Sequence, residues 1–413
     1  FLLTMRGLTP DFSSYNDNGF DEQTFERQLT ENASMAITTC FYRIRKLQAR
    51  FLAHDFAGAV KLSKAAERVL WISRTHFVFA DYHFYSALAR AAQHDNADTD
   101  EQRQLREAIA EFYSGTHLED IIVVVPEEGI FLLMHAILEP GDHVVCTFPA
   151  YQSLYEVARS IGCEISRWEP DESKGWHFDV PQLETKLQDN TRLVVVNFPH
   201  NPTGYVPPVA DYKALINILR QRNIYLLSDE MYRFLEVEDI TRLPAGCELY
   251  ENAFSLCGLS KTFGLPGLRI GWIVAHNHDV LERLSQLKDY TTICNSAPSE
   301  ILAIMALRNK DKIINLQKAR IDKNLKILDD FLGEYTDFFS WNRPLGGSVC
   351  FPRSLISKNT FEFCEKLVKE TGIMLLPSRT FMFGDNHVRV GYGRDNFPEV
   401  LKRFADYLDR RFR

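Results

Sequence analysis

From residue 104 onward, short apolar runs rich in β-formers alternate with helical patterns, and this alternation constrains the fold more than anything else in the chain. The runs lie at 121–125, 143–147, 192–198, 224–228 and 270–275. Helical periodicity fills the gaps, for example at 129–138 and 209–222. Strands bounded by turn residues and separated by helices predict a mostly parallel sheet covered on both faces. A long helical stretch then runs from 279 to 335, and apolar runs at 348–351, 373–376 and 387–390 predict a smaller α+β unit.

The first ninety-odd residues read differently. The pattern there is helical throughout, with apolar residues at three- and four-residue steps over 41–70, broken at the turn-like His54-Asp55. The polar segment HDNADTDEQ, 94–102, reads as a linker. With 413 residues, two or three domains are expected. The expected division is an α-helical extension over 1–98, a large α/β domain over 99–278, and connecting helices with a small C-terminal domain over 279–413.

Charge and cysteine usage exclude several classes of function. The 47 basic and 55 acidic side chains give a net charge of −8, so the chain carries no electrostatic footprint for nucleic acid or an anionic membrane. No apolar run is long enough to span a bilayer. The opening FLLTMRGLTP lacks the charged-then-apolar layout of a secretory signal, and it starts on Phe1 rather than Met, which predicts that residues precede it. The eight cysteines are scattered with no CxxC pair, which predicts reduced thiols in a cytoplasmic protein. His276 and His278 come nearest to a metal-ligand pair, but two histidines around one asparagine read as a solvated loop, and no metal is expected.

Four motifs carry chemistry. Asn201-Pro202-Thr203-Gly204 follows one expected strand, and Ser228-Asp229-Glu230-Met231-Tyr232 closes the next. SKTFGLPGLRIGW spans 260–272, and HVRVGYGR spans 387–394. Ligands of open α/β sheets gather outside the carboxyl ends of the strands. Asn201, Asp229, Tyr232 and Lys261 can therefore meet in one pocket. A lysine amine kept neutral there by desolvation or a nearby cation forms a Schiff base, and an aspartate holds a ring nitrogen protonated. Arg269 and Arg389 suit planar anions, a phosphate or a carboxylate. Each motif alone has a purely structural reading as a cap, a turn or a solvated charge. The four in this order do not.

The series NPTG, DEMY, SKTFGLPGLRIGW and HVRVGYGR resembles that of class I/II aminotransferases, the aspartate-aminotransferase-like enzymes of pyridoxal-5′-phosphate (PLP) fold type I, over about residues 104–413. The resemblance implies a PLP-binding large domain, a small α+β domain and a homodimer acting on an amino acid and a 2-oxo acid. It implies that Lys261 holds PLP as an aldimine and shuttles the substrate proton, and that Asp229 pairs with the ring nitrogen. Tyr232 and Asn201 then bond the cofactor's 3′-oxygen, Tyr151 stacks on the ring, and Arg269 and Ser260 belong to the cofactor site. Arg389, with Asn201, takes the substrate carboxylate. The activity implied is amino-group transfer from an L-amino acid to a 2-oxo acid. Elimination, cyclisation and oxidative deamination need the same lysine and electron sink. A non-catalytic PLP-binding module is the reading from outside enzymology, disfavoured by the intact lysine, aspartate, tyrosine and arginines.

The chain departs from the family's pattern at three places. Glu127 stands where a small hydroxyl residue usually cradles the phosphate, and Gly258 stands where a serine usually precedes the lysine by three. Both predict weaker phosphate binding, leaving the backbone N–H groups of a helix start for the anion. Ahead of LREAIA the usual N-terminal arm is replaced. There GLTPDF, FYRIRKLQARFLAHDF and DYHFYSALARAA resemble the helical-repeat region of multi-domain signalling ATPases and kinases, with tetratricopeptide-like helix pairs.

Overall fold

The computed structural model describes residues 1–10, 14–17, 19–73, 77–92 and 100–413. Most of the expected linker at 94–102 therefore lies outside the described residues. Two compact units divide the chain. One holds Phe1–Leu105 with Ser296–Met305, and the other holds Arg106–Asn295 with Ala306–Arg413.

The first unit is built of helices. Helix Ala36–Leu52 ends at a turn in which His54 takes a φ of 59°. Asp55 then caps helix Phe56–Glu67 by accepting the Gly58 N–H at 2.9 Å. The break expected at His54-Asp55 is thus a capped helix junction. Cys40, Ile44 and Leu47 of the first helix pack with Ala59 and Ala66 of the second and with Val78, Tyr82 and Ala89 of helix Phe77–Ala92. Lys46 and Glu22 form a buried ion pair beside this core.

The second unit is organised by a seven-stranded sheet: β1 Ile121–Val124, β2 His143–Thr147, β3 Glu164–Trp168, β4 Thr191–Asn197, β5 Tyr225–Asp229, β6 Ala253–Gly258 and β7 Gly271–Val274. Their order is β1-β7-β6-β5-β4-β2-β3. β7 is antiparallel to both neighbours, and the pairs from β6 across to β3 are parallel. Six strands therefore share one direction. Alternate residues split between two cores: Val144, Cys146, Leu193 and Val195 pack on one face, and Val145, Val194 and Val196 on the other. Burial on both faces explains the continuous apolar runs.

Two strands of this sheet were missed in the sequence. β3 is an edge strand and carries polar Glu164, Ser166 and Arg167, so it shows no apolar run. β6, Ala-Phe-Ser-Leu-Cys-Gly, is wholly buried but mixes small and polar residues. The C-terminal part has a three-stranded antiparallel sheet of β9 Val349–Cys350, β12 Val388–Gly391 and β11 Leu376–Pro377, with β8 Phe339–Ser340 paired to β10 Arg353–Ser354. Helices Lys310–Glu334, Thr360–Thr371 and Phe397–Phe412 bury Leu325, Leu328, Leu367, Leu401 and Phe404 in a core with Val349, Val388 and Val390. Among the described residues, no helix is long and apolar enough to cross a membrane.

Candidate active site

Chain direction brings the site together. The carboxyl ends of β4, β5 and β6 lie side by side, and each delivers a polar group at or just past its last residue. Asn197 ends β4, Asp229 ends β5, and Ser260 and Lys261 follow β6. Tyr151 follows β2, Glu127 lies in the first turn of helix Pro126–Ile137 after β1, and Arg389 enters from β12. Lys261, Asp229, Tyr232, Asn201, Tyr151, Arg269, Ser260 and Arg389 all line one cavity of about 360 Å³. Every residue singled out for the site in the sequence therefore faces the same space.

A hydrogen-bond chain fixes the strand ends. The Asn197 carboxamide donates to the Asp229 carbonyl at 3.0 Å and accepts the Asn201 N–H at 2.7 Å. Asp229 Oδ1 accepts the Met231 N–H at 3.1 Å. Arg389 donates to Asn201 Oδ1 at 3.0 Å, and its guanidinium carbon lies 5.3 Å from the centre of the Phe381 ring. Lys261 Nζ lies 5.8 Å from the centre of the Tyr232 ring. Arg269 has the left-handed φ of 53°, a conformation rare for a side chain of this size, and donates to the Pro266 carbonyl at 3.3 Å.

Burial sets the electrostatics. It drives the Asp229 carboxyl up to about 7, with Glu127 adding to the rise and the Met231 N–H opposing it. It lowers the Lys261 amine, aided by the Arg389 charge. It pushes both phenols, Tyr232 and Tyr151, up to about 12, with Glu127 contributing for Tyr151. Burial also lowers the Arg389 guanidinium, against the pull of Tyr232 and Tyr151. The cavity thus presents an amine of lowered pKa, a carboxyl of raised pKa and two arginines.

Sequence reasoning flagged Glu127 and Gly258 without giving them a place. Glu127 faces the cavity and accepts the Ser153 hydroxyl at 2.6 Å. Gly258 pairs with Gly271 across β6 and β7, under Pro126. Asn197 was missed; its position four residues before Asn201, at the end of an apolar run, was the available signal. Phe381 was also missed, and nothing in the sequence tied it to Arg389. His276 and His278 are not merely solvated: they reach the buried Asp120 carboxylate at 3.3 and 2.7 Å.

The lining suits PLP. The ring of that cofactor carries a basic nitrogen, and a buried carboxyl near 7 is a group that a cationic partner would hold ionised. The phosphate needs cations and donors, which Arg269, Ser260 and the first-turn N–H groups of Glu127 and Glu128 can offer; Pro126 has none to give. The aldehyde needs an amine of lowered pKa, which Lys261 supplies.

Fold and lining together define a PLP-dependent enzyme of fold type I. The family model "aminotransferase class I and II" matches residues 83–408, and the chain belongs to that family. It is a PLP-dependent transaminase. It is 28% identical over 367 residues to an aspartate aminotransferase of Pyrococcus horikoshii, covering 86% of this chain and 88% of that one. It is 31% identical over 278 residues to the capreomycidine synthase of Streptomyces vinaceus, covering 67% of this chain and 70% of that one. The crystal structure of the PLP-dependent cyclase OrfR superposes with a TM-score of 0.69 at 28% identity, covering 76% of this chain and 85% of that one.

Proposed function

We propose that the chain moves the amino group of an L-amino acid with a neutral, polar or basic side chain to a 2-oxo acid, as a cytoplasmic homodimer. Bound PLP supplies an electron sink for the charge left at the substrate Cα. Lys261 holds the cofactor and moves the proton at Cα. Asp229 keeps the ring nitrogen protonated, Tyr232 and Asn201 bond the 3′-oxygen, and Tyr151 covers the ring. Arg269 and Ser260 hold the phosphate. Arg389, seated on Asn201, takes the α-carboxylate as a planar fork.

The observation that carries this reading is the convergence of all eight residues on one cavity. The functional division that goes with it is an extension over 1–98, a cofactor domain over 99–278 and a helical and small-domain part over 279–413. We propose further that the extension is built of repeat-type helices like those of signalling ATPases and kinases. The test is a half-reaction: loss of the cofactor's aldehyde absorbance on adding amino acid, with one 2-oxo acid released per site.

A second reading is cyclisation of an amino acid, favoured by the likeness to a capreomycidine synthase and to the OrfR cyclase. Product analysis separates the two, because a cyclase regenerates the aldehyde form and releases no 2-oxo acid.

A further inference from the structure

Arg389 does not stand alone on its strand. Its guanidinium lies over Phe381, and Phe381 packs edge-on against Phe351 with ring centres 5.7 Å apart. Phe351 stacks on His387 at 5.0 Å with the ring planes 12° apart. His387 is buried and precedes Arg389 by two residues, so both belong to one face of the extended segment. Its Nε2 lies 3.0 Å from Glu172 Oε1. Glu172 sits in the short 3₁₀ turn Glu172–Lys174, after β3 of the large sheet, and also receives Arg353 through Nε at 3.2 Å and through a second guanidinium nitrogen. Burial works to raise the Glu172 carboxyl, but the hydrogen bonds from His387 and Arg353 outweigh it and hold the group at about 2.

The large-sheet side thus grips the segment that carries Arg389. We propose that Glu172 is a positioning residue for the substrate carboxylate, setting the Arg389 guanidinium through His387, Phe351 and Phe381. This rests on reading Arg389 as the carboxylate anchor. The chain of contacts meets the residues read as holding the cofactor only at its last member, through the Arg389–Asn201 hydrogen bond, so the main effect falls on substrate affinity. Loss of binding shared equally by substrate and transition state raises KM and leaves kcat.

The experiment uses the cofactor-loaded full chain. Glu172→Gln keeps the size and removes the charge, and Phe381→Leu breaks the stack at the Arg389 end. Both are expected to raise KM for the amino acid roughly tenfold with little change in kcat. They should weaken binding of butyrate, an unreactive monocarboxylate, by a similar factor in calorimetry, and leave the cofactor content of the chain unchanged. Arg389→Lys is measured alongside. If it leaves KM and butyrate binding alone, the anchor reading itself is wrong. If it weakens both while Glu172→Gln and Phe381→Leu do not, the positioning role is overturned and the anchor stands. Should Glu172→Gln fail to fold, Phe381→Leu decides.

Discussion

Pro126 occupies the space that a side chain at Gly258 would need: its Cγ lies 3.1 Å from the point where a Cβ on Gly258 would sit. Gly271 Cα and the Ile270 carbonyl close the same space at 2.9 and 3.0 Å. These contacts are tighter than a packed core tolerates without displacement. The missing serine hydroxyl near Lys261 is thus tied to the proline that opens the helix after β1. Gly258→Ser should destabilise the fold by about 1–3 kcal/mol rather than restore a phosphate ligand. Thermal melts and a cofactor titration check this. A serine variant that is as stable as the parent and binds PLP more tightly would contradict it.

Lys261→Ala should remove the borohydride-stable label from the peptide spanning 260–272 and slow transamination by about 10²–10⁴-fold from the lost proton transfer alone. In the cofactor-free protein, the lowered amine should acylate at lower pH than surface lysines, and Arg389→Gln should move that threshold back up. Peptide mapping after pulse acetylation at a series of pH values reads both. A label on another lysine would sink the assignment.

Asp229 gives a prediction whose sign depends on the cofactor. Its folded-state pKa of about 7 is above the reference value of 3.8, so the folded chain holds this proton more tightly than the unfolded chain. The associated stability is present below 3.8 and is lost as pH rises through about 7. Without cofactor, Asp229→Asn should therefore be more stable than the parent at pH 8, by an amount on the order of a few kcal/mol, with a smaller gap at pH 5. With cofactor the same change should cost several kcal/mol in transition-state stabilisation, hence orders of magnitude in rate. Urea melts at the two pH values and single-turnover rates give the two halves. A parent as stable as the variant at pH 8 would show that the carboxyl is not strained there.

Much of this was legible because the motifs sit at strand ends. Asp229 needed only the alternation of strand and helix to be placed at a strand end, Lys261 was placed by its motif because the strand before it shows no apolar run, and Arg389 needed the C-terminal apolar run at 387–390. What the sequence did not reveal depends on contacts across long separations. The pairing of Gly258 with Gly271 under Pro126, and the path from Glu172 to Arg389 through His387 and two phenylalanines, have no periodic signature. β7 reads like any other strand, and its reversed direction is set by a connection of a dozen residues that contains Lys261. β3 was lost because this edge strand carries the polar side chains of Glu164, Ser166 and Arg167.

Substrate choice follows from which cations reach the cavity. The resemblance to class I/II aminotransferases implies a second arginine in the stretch 290–298 for an enzyme specific for dicarboxylates, and this chain has none in it. Thr291 and Thr292 instead donate to Glu128, at 2.5 and 2.8 Å, and Lys288 lies 3.7 Å from the same carboxylate. Those side chains are engaged with Glu128. Arg394 lines a second cavity, beside Phe397 and Leu401, that Arg389 also borders. Among the described residues, the lysine and arginine side chains lining the site are Lys261, Arg269 and Arg389, each assigned above, and Glu127 faces the same space. A side-chain carboxylate would enter without a counter-charge and beside an anion, which desolvation makes costly. Aspartate should therefore be a poorer amino donor than alanine, phenylalanine or arginine, by tenfold or more in kcat/KM for each 1.4 kcal/mol of unpaired charge. Half-reaction rates for the four amino acids, measured side by side, decide it. If aspartate were the fastest, a cation outside the described lining would have to supply the missing charge, and the reading of 290–298 as lacking an anchor for a side-chain carboxylate would fall.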